Sequence, residues 1–238
     1  MPLPFFYIHS LQGNTDTFTL DENNSRHIVQ VLRMQPGEKL RVTDGKGMEA
    51  TATIAEANKK KCIVQLSEKE LQPAPACRTM IAVSLLKNAS RFEWFLEKAT
   101  ELGISEIIPL KCTRTEKQQF RNDRMQGILE SALIQSQQVW MPLLHAPQVF
   151  EQWIDKVSAV RKLIAHCESG PRQNLHEMIS HRVASQLILI GPEGDFTPVE
   201  IKQALSAGFI GVALGENRLR SETAAVAAGV LMKLSAVG

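Results

Sequence analysis

Apolar positions fall in two regimes along the chain. Up to residue 70 they come as short runs broken by turn residues. Phe5–Ile8, Phe18–Leu20, Lys39–Thr43, Met48–Ala55 and Cys62–Leu66 read as strands. Gln35-Pro36-Gly37-Glu38 and Asp44-Gly45 supply turns, the second of them joining a hairpin. Asp21–Met34 opens with capping residues and carries Ile28, Val29, Val31 and Leu32 at mixed helical spacing, which predicts a short helix. Short strands at close spacing predict a small β-barrel.

From residue 79 the pattern changes. Met80–Leu86 is a continuous apolar run, as expected of a strand buried on both faces. Phe92–Leu102 puts Phe92, Phe95, Leu96, Ala99 and Leu102 on one helical face, and Gly103 ends it. Ile104–Leu110 and Leu163–Cys167 read as strands, and Met125–Val139, Val149–Val157 and Leu175–Ile179 as helices. Leu187–Ile190 and Ile210–Leu214 are strands that each end in a glycine loop followed by a helical pattern. This alternation predicts an α/β fold with a parallel sheet. Ser67–Arg78 turns from charged residues to two prolines at alternate positions, an extended and stiff stretch. The chain thus divides into a β-rich domain at 1–70, a linker at 71–78 and an α/β domain at 79–238.

Composition narrows the function classes. The 238 residues are 44% hydrophobic, enough for a substantial core. Net charge is only +2, so a nucleic-acid surface has to be a local patch. Lys111, Arg114, Lys117, Arg121 and Arg124 are one such cluster, offset by Glu116 and Asp123; it is either a phosphate-contacting face or a solvated one. Cys62, Cys77, Cys112 and Cys167 are scattered with no metal-ligand spacing, which predicts reduced thiols, no metal and a cytoplasmic location. The first residues lack the basic start of a signal peptide, and no apolar run reaches membrane-spanning length. The motifs of Rossmann dehydrogenases, P-loop NTPases, α/β-hydrolases and zincins are all missing. His166 and Cys167 are neighbours on a predicted strand and point to opposite faces, a poor nucleophile–base pair.

The two glycine loops concentrate the chemistry. The first, Gly191-Pro192-Glu193-Gly194-Asp195-Phe196, runs into Thr197-Pro198-Val199-Glu200, which fits an N-cap, a proline at the first helical position and a returning carboxylate. Glycine there allows positive φ or close approach of a ligand. The second, Gly215–Thr223, precedes a helix of small residues at Ala224–Val230. Read from the residues alone, that helix serves either tight packing or a site. Arg220 and Glu222 are either an electrostatic pair at a reacting centre or an ion pair at a helix start.

Together, GPEG with the following Phe196 and Glu200, and Leu214-Gly215 with Leu219-Arg220-Ser221-Glu222-Thr223-Ala224, resemble the C-terminal pattern of SPOUT methyltransferases. More narrowly they resemble the RsmE-type enzymes that methylate N3 of a uridine in 16S rRNA. His27–Gly37 with Asp44-Gly45, the segment Lys98–Gly103, and Lys87 and Glu93 extend the resemblance over essentially the whole chain. It implies a trefoil-knot SPOUT domain behind a PUA-like, RNA-binding β-barrel, S-adenosylmethionine as cofactor, no metal, and a homodimer acting on the small ribosomal subunit. It implies a cofactor pocket from Ile190, Gly191, Pro192, Glu193, Gly194, Leu214, Gly215, Leu219, Arg220, Thr223 and Ala224. Arg220 and Glu222 become the catalytic candidates, and Arg26, His27, Arg33, Lys87, Arg91 and Arg114 the RNA contacts. Three positions depart from the family pattern. Gln138 stands where arginine is usual, Asp195 where a second glycine is common, and Arg218 where the residue is often apolar. The competing expectations are a SPOUT enzyme acting on another rRNA or tRNA base, and an RNA-binding protein without catalysis.

Overall fold

The structure, a computed structural model, describes residues 3–9, 11, 16–116, 119–168 and 172–237. Lys117 of the basic cluster lies outside them. The chain forms two compact units, Met1–Ala74 with Leu133–Met141, and Pro75–Ala132 with Pro142–Gly238.

The first unit holds β1 (Phe5–Tyr7), β2 (Thr17–Thr19), α1 (Glu22–Arg26), β3 (Lys39–Thr43), β4 (Met48–Glu56) and β5 (Ile63–Leu71). The sheet order is β1-β3-β4-β5-β2, antiparallel except for the β1–β3 pair. Ala50, Ala52 and Ile54 alternate inward along β4 and join Leu40, Val42 and Val64 under Ile28. β5 continues past the predicted Leu66 because its outer half still pairs with β4, Met48 opposite Leu71.

The predicted helix Asp21–Met34 is a composite. Asp21 caps α1 by accepting from the Asn24 N–H. The next turn, His27–Val31, is a π-helix, with Leu32 N–H reaching His27 O. The wider turn buries Ile28 and leaves Val31 and Leu32 exposed, which accounts for the mixed spacing. Arg33 then adopts φ +55°. At the far end of the sheet Gly47, at φ +93°, lies against Trp140, whose Nε1 donates to Pro73 O.

The second unit begins with β6 (Arg78–Ser84), α2 (Ala89–Glu101), β7 (Glu106–Lys111) and α3 (Asn122–Ser136), whose last turn belongs to the first unit. It continues through β8 (Leu143–Leu144), β9 (Gln148–Val149), α4 (Phe150–Trp153), β10 (Arg161–Ala165), β11 (Gln173–Asn174) and α5 (Leu175–Met178). It closes with β12 (Ser185–Ile190), α6 (Pro198–Ser206), β13 (Ile210–Ala213) and α7 (Ser221–Val237). The strand order is β11-β13-β10-β12-β6-β7-β8, all parallel. α4 is shorter than the predicted Val149–Val157; only its first turn, where Phe150 is buried, is helical.

Side chains alternate between the two faces of this sheet. Met80, Ala82, Leu187 and Leu189 pack with Phe150, Phe196 and Ile201. On the other face Ile81 meets α7 at Gly229, where a Cβ would come within 3.2 Å of the Ile81 Cδ1. The small-residue helix is therefore a close-packing surface within its own unit. Gln186, fully buried, donates to Met232 O at 2.8 Å and Thr79 Oγ1 at 3.3 Å, so its amide is satisfied.

Candidate functional site

The strand order places the site. β12 lies between β10 and β6, and β13 beyond β10, so the chain reverses direction across the sheet here. All strands being parallel, the loops after β10, β12 and β13 leave from one edge and converge. Such a switch point is where open α/β sheets bind ligands. A cavity of about 350 Å³ opens between these loops. Its apolar wall comes from Ile190, Val212, Leu214, Leu219 and Ala224; its polar groups include His166, Arg172, Asp195 and Arg220.

The first loop is built by side-chain latches. Asp195, not a glycine, takes the left-handed conformation, at φ +65°. Aspartate tolerates this region better than most residues. Its carboxylate accepts from Cys167 N–H at 2.7 Å and from Phe196 N–H at 2.7 Å, so it ties the exit of β10 to that of β12. Asp195 N–H closes a turn onto Pro192 O at 2.9 Å. Gly191 serves close approach, not positive φ: a Cβ there would lie 3.0 Å from the Phe196 backbone nitrogen. Gly215, at φ +130°, is the glycine whose backbone demands glycine.

The capping box exists as read. Thr197 Oγ1 accepts from Glu200 N–H at 3.2 Å, and Glu200 accepts from Thr197 N–H at 2.8 Å. Glu200 also accepts from Thr113 N–H at 2.8 Å, and the Arg114 guanidinium donates to Gly194 O at 2.6 Å. The loop after β7 is thereby fastened to the glycine loop after β12. Beneath it, burial and the nearby Glu200 carboxylate push the Cys112 thiol up to about 12, which leaves it protonated and inert.

Two buried polar atoms stand unpaired among the described residues, His166 Nδ1 and Glu222 Oε2. Burial holds the His166 imidazole below its ordinary value; Asp195 and Glu168 act against that, and Arg172 with it. Glu222 is nine-tenths buried, with its other oxygen 3.6 Å from Arg91 Nε. Among the described residues no His, Cys, Asp or Glu cluster could hold a metal, and no helix is long and apolar enough to cross a membrane.

Residues 72–233 match the family model described as RNA methyltransferase domain, and residues 20–67 the one described as RNA methyltransferase PUA domain. The chain belongs to this RNA methyltransferase family. Similar curated proteins include the ribosomal RNA small subunit methyltransferase E of Synechocystis, 32% identical across 87% of this chain and 70% of that protein. The protein of the same name from Bacillus subtilis is 28% identical across 87% of this chain and 86% of its own length. Among solved structures, the ribosomal RNA small subunit methyltransferase E of Neisseria gonorrhoeae, bound to S-adenosyl methionine, superimposes with a TM-score of 0.84. It is 28% identical and covers 98% of this chain and 97% of its own. The α/β class with an N-terminal PUA-like unit is thus the class read from the sequence.

In this RNA methyltransferase, nine of the eleven expected pocket residues line the cavity: Ile190, Gly191, Pro192, Glu193, Leu214, Gly215, Leu219, Arg220 and Ala224. Gly194 instead lines an adjoining cavity, and Thr223 faces solvent. Glu222 is buried with Arg91 as its partner, not Arg220, so the Arg220–Glu222 ion pair that the residues alone allowed is not the one formed. Of the expected RNA contacts, Arg26 pairs with Glu22, Lys87 with Glu116, and Arg114 with the glycine loop. His27 lies edge-on to Phe6 with ring centres 5.7 Å apart, and Arg33 is exposed. Sequence reasoning assigned no role to His166, Cys167, Arg172 and Asn217, which the β10 and β13 loops bring to the cavity. Adjacent polar residues after a strand carry little signal until the strand order is known.

Proposed function

We propose that this chain transfers a methyl group from S-adenosylmethionine to 16S rRNA of the small ribosomal subunit, at N3 of a uridine. The carrying observation is the cavity at the switch point, together with the relatives' names and the bound cofactor in the solved relative. Its size falls within the roughly 300–1,000 Å³ of small-ligand pockets, and its apolar wall beside exposed loop backbone suits an aromatic base with a polar edge. The nine lining residues named above hold the cofactor, with Gly194 and Thr223 at its margin. When bound, the sulfonium supplies a methyl group already activated for displacement. The protein's part is alignment, which by itself lowers barriers substantially.

Uridine N3 must lose its proton, and negative charge then builds on the uracil oxygens. Arg220, exposed on the cavity rim just before α7, supplies the compensating cation. Glu222, through Arg91, fixes the start of α7 and so the position of Arg220. Arg26, His27 and Arg33 in the first unit, and Lys87, Arg91 and Arg114 in the second, form the RNA contacts. In this reading residues 1–70 form the RNA-binding domain, 71–78 the linker and 79–238 the catalytic domain. The protein works in the cytoplasm as a homodimer, with α7 at the interface. The exposed Leu234 on α7 and Trp94 on the neighbouring α2 support that surface.

The test is transfer from labelled S-adenosylmethionine to small subunits from a strain lacking the enzyme, with the product nucleoside identified by mass spectrometry. Expected is 3-methyluridine. Arg220→Ala is expected to abolish transfer while largely retaining cofactor binding, which the other eight lining residues still supply. A different methylated nucleoside refutes the base assignment, and no transfer refutes the activity.

A further inference from the structure

The apolar cavity opens onto a second, polar one of about 660 Å³, and Cys167, Arg172, Asp195, Gly215, Asn217 and Arg218 line both. Three arginines from three loops reach the polar cavity: Arg114 after β7, Arg172 after β10 and Arg218 after β13. Their donors are not equally available. Arg114 donates to Gly194 O and Phe196 O, and Arg172 to His166 O at 2.7 Å. Arg218 makes no hydrogen bond or ion pair among the described residues and is exposed. Of the three carboxylates on the same wall, Asp195 has both oxygens engaged by backbone N–H groups. Glu168 and Glu216 remain to face the arginines.

In-line methyl transfer needs the acceptor atom about 3–3.5 Å from the methyl carbon. A group in the polar cavity lies directly against one in the apolar cavity, so the polar cavity is where an acceptor fits. An unpaired guanidinium is a planar fork of donors matched to an oxyanion. Two oxyanions could reach it: a backbone phosphate of the RNA, or the carboxylate at the amino-acid end of the donor. The cavity is larger than the donor pocket itself, which suits a nucleotide with its phosphate better than a small carboxylate. We propose that the polar cavity is the acceptor side of the site and that Arg218 binds a backbone phosphate of the RNA strand beside the target nucleotide. This rests on the methyltransferase reading above.

The experiment measures binding of full-length protein to a labelled uridine-rich single-stranded RNA across a salt series, with cofactor affinity measured by calorimetry in parallel. Each neutralised phosphate contributes about 0.7 to the slope of log K against log salt for single strands. Arg218→Gln is therefore expected to flatten that slope by about 0.7 and to weaken binding about fivefold at 0.1 M salt. Arg218→Lys is expected to recover most of the slope, and Lys202→Gln, on the exposed face of α6, to keep it. Cofactor affinity is expected to stay unchanged, and thermal melts verify that all variants fold. An unchanged slope in Arg218→Gln overturns the proposal. So does an equal loss in Lys202→Gln, or weakened cofactor binding with an intact RNA slope, which would assign Arg218 to the donor carboxylate. If the slope falls as expected but wild-type protein methylates no small subunit, the phosphate contact stands and the methyltransferase reading fails.

Discussion

Glu200 joins two loops with one carboxylate, and its two oxygens have separate duties. Oε2 accepts from Thr197 N–H at 2.8 Å and Thr197 Oγ1 at 2.9 Å, while Oε1 accepts from Thr113 N–H at 2.8 Å. The residue is 2% exposed, so water cannot readily replace these bonds. Glu200→Ala keeps the backbone N–H bond to Thr197 Oγ1 but removes the returning arm of the capping box, about 1–2 kcal/mol for a part-buried Thr197 N–H left unpaired, and strands a part-buried Thr113 N–H, about 1–2 kcal/mol more. The expected loss is about 3 kcal/mol, a large share of a typical 5–15 kcal/mol. Glu200→Gln separates the two duties. Its amide oxygen can take the Oε2 position and keep the cap, but its NH₂ then faces the Thr113 N–H, donor against donor. The expected loss is about 1–2 kcal/mol, confined to the loop after β7. Urea unfolding gives the totals. Hydrogen exchange read by mass spectrometry locates them, with residues 111–116 deprotected in both variants and residues 191–200 in the alanine variant alone. The reasoning fails if the alanine variant loses under 1 kcal/mol, or if glutamine deprotects both segments equally.

Two further outcomes follow from particular contacts. Gly47→Ala would drive its Cβ into the Trp140 ring at a backbone φ of +93°, so we expect a loss of about 2–4 kcal/mol in unfolding free energy, read by urea unfolding, and a changed tryptophan emission. Burial depresses the His166 pKa, so below about pH 6.5 the unfolded chain takes up a proton that the folded chain resists. Stability is therefore full above that pH and falls as pH drops through the folded value; His166→Gln is expected to flatten this part of the stability profile, and an unchanged profile would show that other groups set it.

The parallel α/β class was legible because Met80–Leu86, broken only by the small Ser84, and Leu187–Ile190 are apolar runs of the kind that doubly covered strands require. The start of α6 was legible because Thr197, Pro198 and Glu200 act within one turn of chain. The π-turn at His27–Val31 was not, since the mixed spacing of Ile28, Val29, Val31 and Leu32 departs from a regular helix without saying which hydrogen bonds replace it. Nor was the conformation of Asp195: the glycines beside it were the natural candidates for positive φ, but a carboxylate able to bind two backbone N–H groups took that place. His166 and Arg172 reach the cavity because β10 lies between β12 and β13, an order that no local pattern encodes.

That strand order also has a consequence for how the molecule comes into being. β12 pairs with β6 across more than a hundred residues, Ser185 opposite Arg78, and β13 then pairs with β10. Closing so long a loop is slow, because its entropy is lost before the contacts that reward it are made. During synthesis β6 and β7 leave the ribosome long before their partner exists, with an apolar edge at Met80–Val83 waiting for it. The cavity lined by the loops after β12 and β13 is accordingly among the last parts to assemble. A newly made chain remains without this cavity, and exposed to aggregation at that waiting edge, until β12 and β13 have been translated and paired into the sheet.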